Sequence, residues 1–438
     1  MIAIDLLIHA RWIIPVEPAG QVLDHYAIAI DQGAILALLP QHEADARYQA
    51  ARVLRLDDHV LLPGLINAHG HAAMTLLRGF ADDKPLEDWL NNHIWPAEKR
   101  WVDAAFVRDG TELAMAEMIR SGTTCFSDMY FFPEQIAAAA DVAGMRCQAA
   151  FPILDFPTAW GDGPPAYLRH GLALEERYSG HPRVRVALGP HAPYTVSDHW
   201  MERVVALAQE RSMPIQIHLH ETAHEVHASL QQHGVRPMQR LMRLGLLGPA
   251  TQCVHMTQLD DGDIALLQQS GAHVVHCPES NLKLASGFCP VHRLMQNGVN
   301  VALGTDGGAS NNDLDMFGEL RTAALLAKAV GNDAAALDAH AALRMATLNG
   351  AKALGIDAQV GSLQAGKRAD LIAVALDDLA QQPVYHPASQ LAYTAVGHRV
   401  THVWVDGACL LQDRVLQMMD EQAIRNRTLH WRQQMAHG

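Results

Sequence analysis

The 438-residue sequence lacks any apolar run of about 18 or more residues, the length that a helix needs to cross a bilayer. Its first residues, MIAIDLLIHARWIIPVEP, contain no basic stretch followed by a long apolar one, and no small-residue cleavage site. These absences predict a cytoplasmic protein with neither a membrane-spanning segment nor a secretory leader.

Cysteine and basic residues are also scarce. The six cysteines form no CxxC pair, and several lie in apolar runs typical of strands, which favours buried, reduced thiols over disulfides. The 33 basic side chains are outnumbered by 47 acidic ones, and the net charge is −14. A protein of that charge repels phosphates, so we expect no nucleic acid and no anionic membrane as a partner.

Alternating strand and helix patterns fill the middle of the chain, about residues 59–368. The predicted strands are 60–69, 123–129, 146–153, 184–192, 214–221, 251–256, 273–278 and 300–306. Eight strands separated by amphipathic helices predict an α/β fold, a (β/α)₈ TIM barrel. The competing doubly wound sheet would carry GxGxxG after its first strand, and none is present there.

The two ends of the chain, 1–58 and 369–438, have a different pattern. Both contain short strand-like runs with turn signals, such as the Val-Asp-Gly turn in THVWVDGACLLQ. A helix is predicted at the C-terminus, from about Asp420 to Met435. Because both ends are rich in strands, we expect them to pair into a small β-sandwich domain beside the barrel.

Metal-binding side chains end several predicted barrel strands, where barrel enzymes place their active sites. His69 and His71 close the first strand and share one face, since side chains two residues apart point the same way. His218 lies in the fifth strand, His255 in the sixth, and Asp306 ends the eighth. One such histidine alone is more often a core or surface residue. The ordered set predicts a catalytic metal, Zn²⁺ or Fe²⁺.

Glu221 follows His218 by three residues, just beyond the strand. A carboxylate at that place can take a proton from an activated water molecule and pass it to a substrate. The pattern HxxE is a weak signal by itself, and a solvated loop glutamate is the alternative. Its attachment to a metal-binding strand favours the acid/base role.

Four motifs resemble the amidohydrolase superfamily: LPGLINAHGHAAMTLLRGFADD, IHLHET, HCPESNLKLASG and GTDGGASNNDLDM. They are most similar to its branch of 5-methylthioadenosine/S-adenosylhomocysteine deaminases and triazine hydrolases. The similarity extends over nearly the whole chain, including the segment GKRADLIAV, which in the family returns to the β-sandwich.

The resemblance implies a role for each of the residues singled out above. Glu221 matches the family's acid/base residue, and His255 matches a histidine that orients or polarises the hydrolytic water in single-metal members. Dinuclear members carry a carboxylated lysine at the end of the fourth strand, but this chain has no lysine between Lys99 and Lys283. One metal ion is therefore predicted, with Asp306 also helping to hold the attacking water. The matching metal ligands are His69, His71, His218 and Asp306.

The resemblance also suggests residues that contact a substrate. Trp89 and Glu98 match positions that cover the base and bind the ribose hydroxyls in nucleoside-acting relatives; a helix with a core tryptophan and a surface glutamate is the alternative. His191 matches a histidine that contacts the purine edge or the ribose. Ser280 and Asn281, after the seventh strand, either position the substrate or only form a turn.

A departure from the family pattern bears on the substrate. Some relatives use an arginine near the third strand to meet the carboxylate of S-adenosylhomocysteine, whereas this chain reads Ala150-Phe151-Pro152 there. An apolar wall suits a methylthio group better, although Arg169 is a possible substitute for the missing charge. The predicted reaction is hydrolytic deamination at C6 of an adenine nucleoside. 5′-Methylthioadenosine is the expected substrate, and adenosine or S-adenosylhomocysteine are further candidates.

Two alternatives stay open. One is a triazine, guanine or pterin aminohydrolase or chlorohydrolase with the same metal chemistry. The other, from a different class, is a non-catalytic barrel that binds a metal or a ligand. Whether the protein is a nucleoside deaminase or another aminohydrolase, its partner is a small molecule. The resemblance also implies a homo-oligomer, either a dimer or a tetramer.

Overall fold

The computed structural model describes residues 1–437, and its strands form two sheets. The strands are β1 (Ile2–Ile13), β2 (Leu23–Asp31), β3 (Ala34–Pro40), β4 (Tyr48–Pro63), β5 (Leu65–His71), β6 (Thr123–Met129), β7 (Arg146–Ile153), β8 (Val184–Pro190), β9 (Ile215–Leu219), β10 (Thr251–His255), β11 (His273–His276), β12 (Val301–Leu303), β13 (Asp306–Gly307), β14 (Leu371–Ala375), β15 (Val400–Val405), β16 (Ala408–Gln412) and β17 (Val415–Leu416).

Helices separate most of these strands. They are α1 (Gln41–Arg47), α2 (Leu86–Asp88), α3 (Trp95–Trp101), α4 (Ala104–Arg120), α5 (Pro133–Ala143), α6 (Pro164–Tyr178), α7 (Asp198–Arg211), α8 (Ala223–His233), α9 (Pro237–Arg243), α10 (Asp261–Ser270), α11 (Pro278–Lys283), α12 (Val291–Gln296), α13 (Met316–Gly331), α14 (Ala339–Arg344), α15 (Gly350–Ala353), α16 (Pro387–Tyr393) and α17 (Glu421–His437). Shorter 3₁₀ or π-helical turns cover Ala72–Leu77, Trp89–Ile94, Met345–Asn349, Leu379–Gln381 and Gly397–Arg399.

The central sheet is parallel and has the order β12-β11-β10-β9-β8-β7-β6-β5-β13. Its two edge strands, β12 and β13, are neighbouring pieces of one segment, 301–307. Because β13 pairs with β5, with Asp306 opposite Gly70, the sheet curls round to bring its first and last strands together. Together with the alternating helices, this arrangement fits the predicted TIM-like barrel.

Two predicted strands are divided in the structure. The predicted first strand, 60–69, spans the end of β4 and the start of β5, which belong to different sheets. The chain crosses between the sheets at Gly64, where a Cβ would collide with the side chain of Thr124. The predicted eighth strand, 300–306, contains β12 and the first residue of β13.

The second sheet joins both ends of the chain, in the order β17-β16-β15-β14-β4-β1-β2-β3. Its pairs are antiparallel except for β1 with β4. The pairing of β4 with β14, for example Leu62 with Ile372, is where the N-terminal and C-terminal parts meet. The structure thus gives one mixed eight-stranded sheet, and a two-layer sandwich stays a prediction.

The end sheet packs against the barrel through one face of β14. Leu371 and Ala373 lie in an apolar cluster with Trp404 of the same sheet, whereas Ile372 and Val374 lie in the main core with the barrel helices. Alternate side chains of a strand point to opposite faces, so both faces of β14 are covered and the whole strand is buried.

The terminal helix and the cysteines agree with the sequence. Helix α17 begins one residue after the predicted start and packs on α4, where the Trp431 indole donates to Asp109 Oδ2 at 2.9 Å. All six cysteines are unpaired, five are buried and Cys409 is half-buried, which confirms the predicted reduced thiols. Among residues 1–437, no helix combines the length and apolar character that crossing a membrane requires.

Candidate metal centre and active-site cavity

Four predicted ligands converge at the carboxyl ends of the barrel strands. One donor atom from each of His69, His71, His218 and Asp306 lies within 4.8 Å of the other three. His69 Nε2 is 3.2 Å from His218 Nε2 and 3.4 Å from Asp306 Oδ1, and His71 Nε2 is 3.1 Å from the same oxygen. Ligand atoms bonded at about 2.0–2.2 Å to one zinc ion stand about 3–3.5 Å apart. The four side chains therefore fit a single ion.

Each ligand histidine is held through its other ring nitrogen. A hydrogen at Nδ1 leaves Nε2 with a free lone pair, which is the form that binds a metal. In each case Nδ1 meets an oxygen that can only accept, so this tautomer is fixed by the surroundings. The pairs are His69 with the Gln216 side-chain oxygen at 2.9 Å, His71 with the Met129 carbonyl at 2.6 Å, and His218 with the His191 carbonyl at 2.8 Å.

Asp306 is oriented by two serine hydroxyls. Its Oδ2 accepts hydrogen bonds from Ser280 Oγ at 2.6 Å and from Ser310 Oγ at 2.7 Å, which leaves Oδ1 facing the histidines. Its backbone is left-handed, with φ of 61°, and that of His255 is left-handed too, with φ of 76°. Residues other than glycine rarely adopt this backbone conformation, and such strain is often found at functional positions.

Glu221 lies beside the cluster, on the turn between β9 and α8. Thr222 caps α8 by accepting the backbone N–H of Glu225 at 3.3 Å, and the Glu225 carboxylate accepts the backbone N–H groups of His220 and Glu221 at 2.9 and 2.8 Å. This local TxxE pattern is a helix-start signal. It fixes the backbone of Glu221 while leaving its side chain free to face the cavity.

His255 faces Glu221 across the cluster. Its Nε2 lies 3.8 Å from Glu221 Oε2, and its Nδ1 donates to Asn281 Oδ1 at 2.9 Å. His255 is not part of the four-donor group. This placement suits the predicted contact with a water molecule.

Burial sets the ionisation of the site. It lowers the pKa of His69 to about 4 and holds the pKa of His218 well below its ordinary value, so both rings are neutral at pH 7. Burial also lowers the pKa of His71, but the hydrogen bond and charge of Asp306, the charge of Asp128 and the hydrogen bond to Met129 together outweigh burial and raise that pKa to about 9. Burial raises the pKa of Glu221 to about 8, and the Asp306 charge adds to this rise. A bound cation would lower it again.

A cavity of about 510 Å³ opens above the cluster. His71, His218, Glu221, His255 and Asp306 form its polar floor. Most of the wall above them is apolar and aromatic. A concave apolar site with a few convergent polar groups is the usual form of a small-molecule site.

All three substrate residues predicted from the barrel mouth, Trp89, Glu98 and His191, line this cavity. Glu98 is only 9% exposed, and its Oε1 accepts a hydrogen bond from the Tyr130 hydroxyl at 2.7 Å. Burial raises the pKa of Glu98 to about 7. Burial lowers the pKa of His191 to about 3, and its Nδ1 lies 3.0 Å from Thr195 Oγ1.

Ser280 and Asn281 lie behind the metal cluster, at the start of α11. Their side chains hold Asp306 and His255 and do not line the cavity. Of Ala150, Phe151 and Pro152, only Pro152 lines it, and Arg169 lies exposed on α6, away from the cavity lining. The apolar wall continues instead through Leu154, Phe156 and Pro157.

Three contributors to the site were not singled out from the sequence: Gln216, Ser310 and Tyr130. Gln216 shares a strand face with His218, Ser310 lies in the motif GTDGGASNNDLDM, and Tyr130 directly follows β6. Their positions could have drawn attention to them, but the residues that they contact are distant in the sequence or not predicted as their partners.

Comparison with known proteins places the chain in a family. A model of the amidohydrolase family matches residues 60–410. A 5-methylthioadenosine/S-adenosylhomocysteine deaminase of Saccharophagus degradans is 56% identical over 98% of this chain and 96% of its own length. One of Teredinibacter turnerae is 54% identical over 99% and 98%.

Solved structures give the same result. A crystal structure of an adenosine deaminase from Xanthomonas campestris with bound zinc has a TM-score of 0.99 at 49% identity, covering all of both chains. The atrazine chlorohydrolase of Arthrobacter aurescens TC1, complexed with zinc, has a TM-score of 0.91 over 97% of this chain and 99% of its own, but its 23% identity shows the fold alone. The family match over most of the chain and these relatives together show that the protein belongs to the amidohydrolase family.

Proposed function

We propose that this protein is a single-zinc deaminase that hydrolyses the 6-amino group of an adenine nucleoside and releases ammonia and the inosine analogue. Its first substrate would be 5′-methylthioadenosine, with adenosine and S-adenosylhomocysteine as further substrates. The observation that carries the proposal is the four-donor cluster with Glu221 beside it at the floor of the 510 Å³ cavity. The names of the 56% and 54% identical relatives support the nucleoside class.

The donor set supports one zinc ion, with Fe²⁺ as the alternative. Three imidazoles and one carboxylate are typical ligands of either metal, and His71 would have to release its Nε2 proton to bind. When bound, such an ion would lower the pKa of a water molecule from about 15.7 towards about 7. The absence of any lysine between Lys99 and Lys283 supports one ion rather than a lysine-bridged pair.

Proton transfer is the proposed task of Glu221. Its carboxylate takes a proton from the attacking water and delivers it to N1 of the purine, which makes C6 more electrophilic. After the water oxygen has added to C6, Glu221 takes the remaining hydroxyl proton and passes it to the amino group. The C6–N bond then breaks, ammonia leaves and a carbonyl forms at C6. A pKa near neutrality lets one carboxyl group act as base and then as acid.

His255 and Asp306 are proposed to orient the attacking water. Asn281 fixes the His255 ring, and Ser280 with Ser310 fixes the Asp306 carboxylate, so neither group needs to reorganise during the reaction. Such pre-organised polar groups are a main source of rate enhancement in enzymes.

Ribose recognition is proposed for Glu98. Tyr130 occupies one of its oxygens, which leaves the other oxygen and the remaining lone pairs to accept two vicinal hydroxyls. Trp89 would cover the base, and His191 would contact the purine edge or the ribose. The apolar wall of Pro152, Leu154 and Phe156 supports a methylthio group at the 5′ position over a charged tail.

One experiment tests the proposal. Purified protein would be assayed for ammonia release from adenosine, 5′-methylthioadenosine, S-adenosylhomocysteine, free adenine, guanine, melamine and a pterin, with metal analysis of the same sample. We expect one zinc per chain and the highest kcat/KM with 5′-methylthioadenosine. Equal rates with free adenine would contradict the ribose contact, and activity only with a triazine, guanine or a pterin would favour that alternative. If ammonia is released from none of these compounds, the protein would instead be a non-catalytic barrel that binds a metal or a ligand.

We also propose that the chain divides into a barrel at 59–368 and an end domain from 1–58 and 369–438, and that the end domain folds as a β-sandwich. We further propose that the protein is a dimer or tetramer and that it is located in the cytoplasm. Light scattering coupled to size exclusion would measure the assembly. A monomer at working concentrations would contradict the oligomer.

A further inference from the structure

The segment HCPESNLKLASG contains a lysine, Lys283, that the proposed reaction does not use. Ser280 and Asn281 in this segment hold Asp306 and His255, but Lys283 touches neither. Lys283 ends α11 and is the first lysine after Lys99 in the sequence. Its side chain is 23% exposed, so its ammonium group lies mostly inside the protein.

The ammonium group of Lys283 joins two other loops. Its Nζ lies 2.7 Å from Asp82 Oδ1 and 3.3 Å from the carbonyl oxygen of Ala309, and it also donates to the Asn312 side-chain oxygen. Asn312 Nδ2 reaches Asp82 Oδ2 at 3.4 Å. The three N–H groups of a lysine thus have three acceptors, one of them a carboxylate whose pKa is lowered by this hydrogen bond.

Each of the two loops leads to a part of the site. Asp82 lies between the Ala72–Leu77 turn and α2, at the start of the segment that supplies Trp89 and Glu98 to the cavity. Ala309 and Asn312 lie on the loop that follows β13 and carries Ser310, the partner of Asp306. The Lys283 ammonium group therefore connects the segment that carries Trp89 and Glu98 to the loop that carries Ser310.

We propose that Lys283 is a positioning residue that holds segment 79–98 over the cavity and thereby sets the affinity for the nucleoside. Lys283 contacts no metal ligand, so its effect should fall on KM and not on the chemical step. This inference rests on the proposed deamination only for its kinetic part, because the position of the segment can be measured without substrate.

The test compares Lys283→Met with Lys283→Arg and with Lys84→Met as the matched control. Lys84 lies in the same loop, and the structure gives it no hydrogen bond or ion pair. For Lys283→Met we expect KM for 5′-methylthioadenosine to rise about fivefold with kcat within about twofold of wild type. Lys283→Arg should restore most of the affinity, and Lys84→Met should behave as wild type.

Hydrogen exchange supplies the second measurement, on substrate-free zinc-loaded protein. Backbone amides of residues 80–94 should exchange faster in Lys283→Met, with unchanged zinc content. Asp82→Asn, which removes the carboxylate charge on the exposed side of the pair, should give the same result if Lys283→Met folds poorly. If both variants exchange these amides at the wild-type rate, the inference is wrong. It is also wrong if the variants lose zinc and that loss accounts for the rise in KM. Inactive wild-type protein would contradict the proposed function alone, since the exchange result would still decide the role of Lys283.

Discussion

At the scale of single residues, each proposed ligand histidine is held by an oxygen that accepts its Nδ1 hydrogen. His71 and His218 each give this hydrogen to a backbone carbonyl, and His69 gives it to Gln216, which leaves each Nε2 lone pair facing the proposed metal site. His276, also buried on a barrel strand, has neither ring nitrogen hydrogen-bonded. The proposed ligand histidines therefore differ from His276 in having a partner that fixes the ring.

Glu221→Gln should lower kcat by about 10²–10⁴-fold, the usual contribution of a general acid or base. The amide keeps the shape of the side chain but cannot accept the water proton. Steady-state ammonia release measures the effect. Zinc content should remain at the wild-type level because Glu221 is outside the four-donor group. A variant that has lost its zinc, or one that is fully active, would contradict the proposed role.

Glu98→Gln should raise KM for 5′-methylthioadenosine much more than for a free base, since only the nucleoside offers ribose hydroxyls. The buried carboxyl has a raised pKa of about 7 and must be ionised to accept both hydroxyls. In wild type, kcat/KM should therefore fall as the pH decreases through about 7, because protonation then removes the acceptor. Measured between roughly pH 5 and 9, this acidic limb of the pH profile should be less steep in the variant, in which only Glu221 still has to lose a proton. A limb that persists unchanged belongs to another group.

The sequence was sufficient for the proposed metal ligands and the proposed acid/base residue, but not for the residues that orient them. The histidines, Asp306 and Glu221 could be predicted because each stands at the end of an apolar run. Ser310 and Gln216 could not, because a hydrogen bond to a partner distant in sequence leaves no local pattern. Ser280 and Asn281 could be placed near the site, but their two possible roles could only be weighed once their partners were visible.

At the scale of elements, strand boundaries were predictable where a glycine or a turn ends the apolar run. The strands 123–129 and 146–153 have the predicted bounds, since Gly122 and Gly144 lie just before them in left-handed backbone. The boundary at Gly64 was missed. That glycine sits inside an unbroken apolar run, and its role is the close approach to Thr124, which periodicity does not reveal.

A layer of buried amides inside the barrel supports the ligand histidines from below. Gln216 Nε2 donates to Gln252 Oε1 at 2.8 Å and to Ser127 Oγ at 3.0 Å, and Gln148 Nε2 donates to the same two atoms at 2.8 and 2.9 Å. These four side chains come from four barrel strands. Only Gln216 reaches His69, so the layer can be tested one member at a time.

Gln216→Leu should weaken zinc binding by about 10–100-fold, the usual cost of losing the group behind a metal-bound histidine. The leucine cannot accept the Nδ1 hydrogen of His69, so the ring loses its fixed tautomer. Competition with a fluorescent zinc chelator measures the affinity. Gln148→Leu is the matched control, because it disturbs the same buried layer without touching His69. Equal losses in both variants would mean that the layer acts on stability alone.

At the scale of the whole molecule, the pairing of the two chain ends was predictable from composition, because both are rich in short strands. The way the end sheet attaches to the barrel was not. Arg146 opens β7 of the barrel and Asp370 precedes β14 of the end sheet, and they form a two-point ion pair at 2.6 and 3.1 Å. Two oppositely charged residues 224 positions apart give no signal in one sequence.

Arg146→Met should destabilise the protein by about 3–5 kcal/mol, because it leaves the Asp370 carboxylate buried without its partner. The side chains of the pair are only 4% and 2% exposed, so water cannot replace the lost contact. The midpoint of urea unfolding measures the change. Arg425→Met is the control: that arginine forms an exposed pair with Glu421 and its loss should shift the midpoint little. Because the cost comes from an uncompensated charge, Asp370→Leu added to Arg146→Met should recover part of it; a double variant that is less stable by the sum of both single losses would contradict this account.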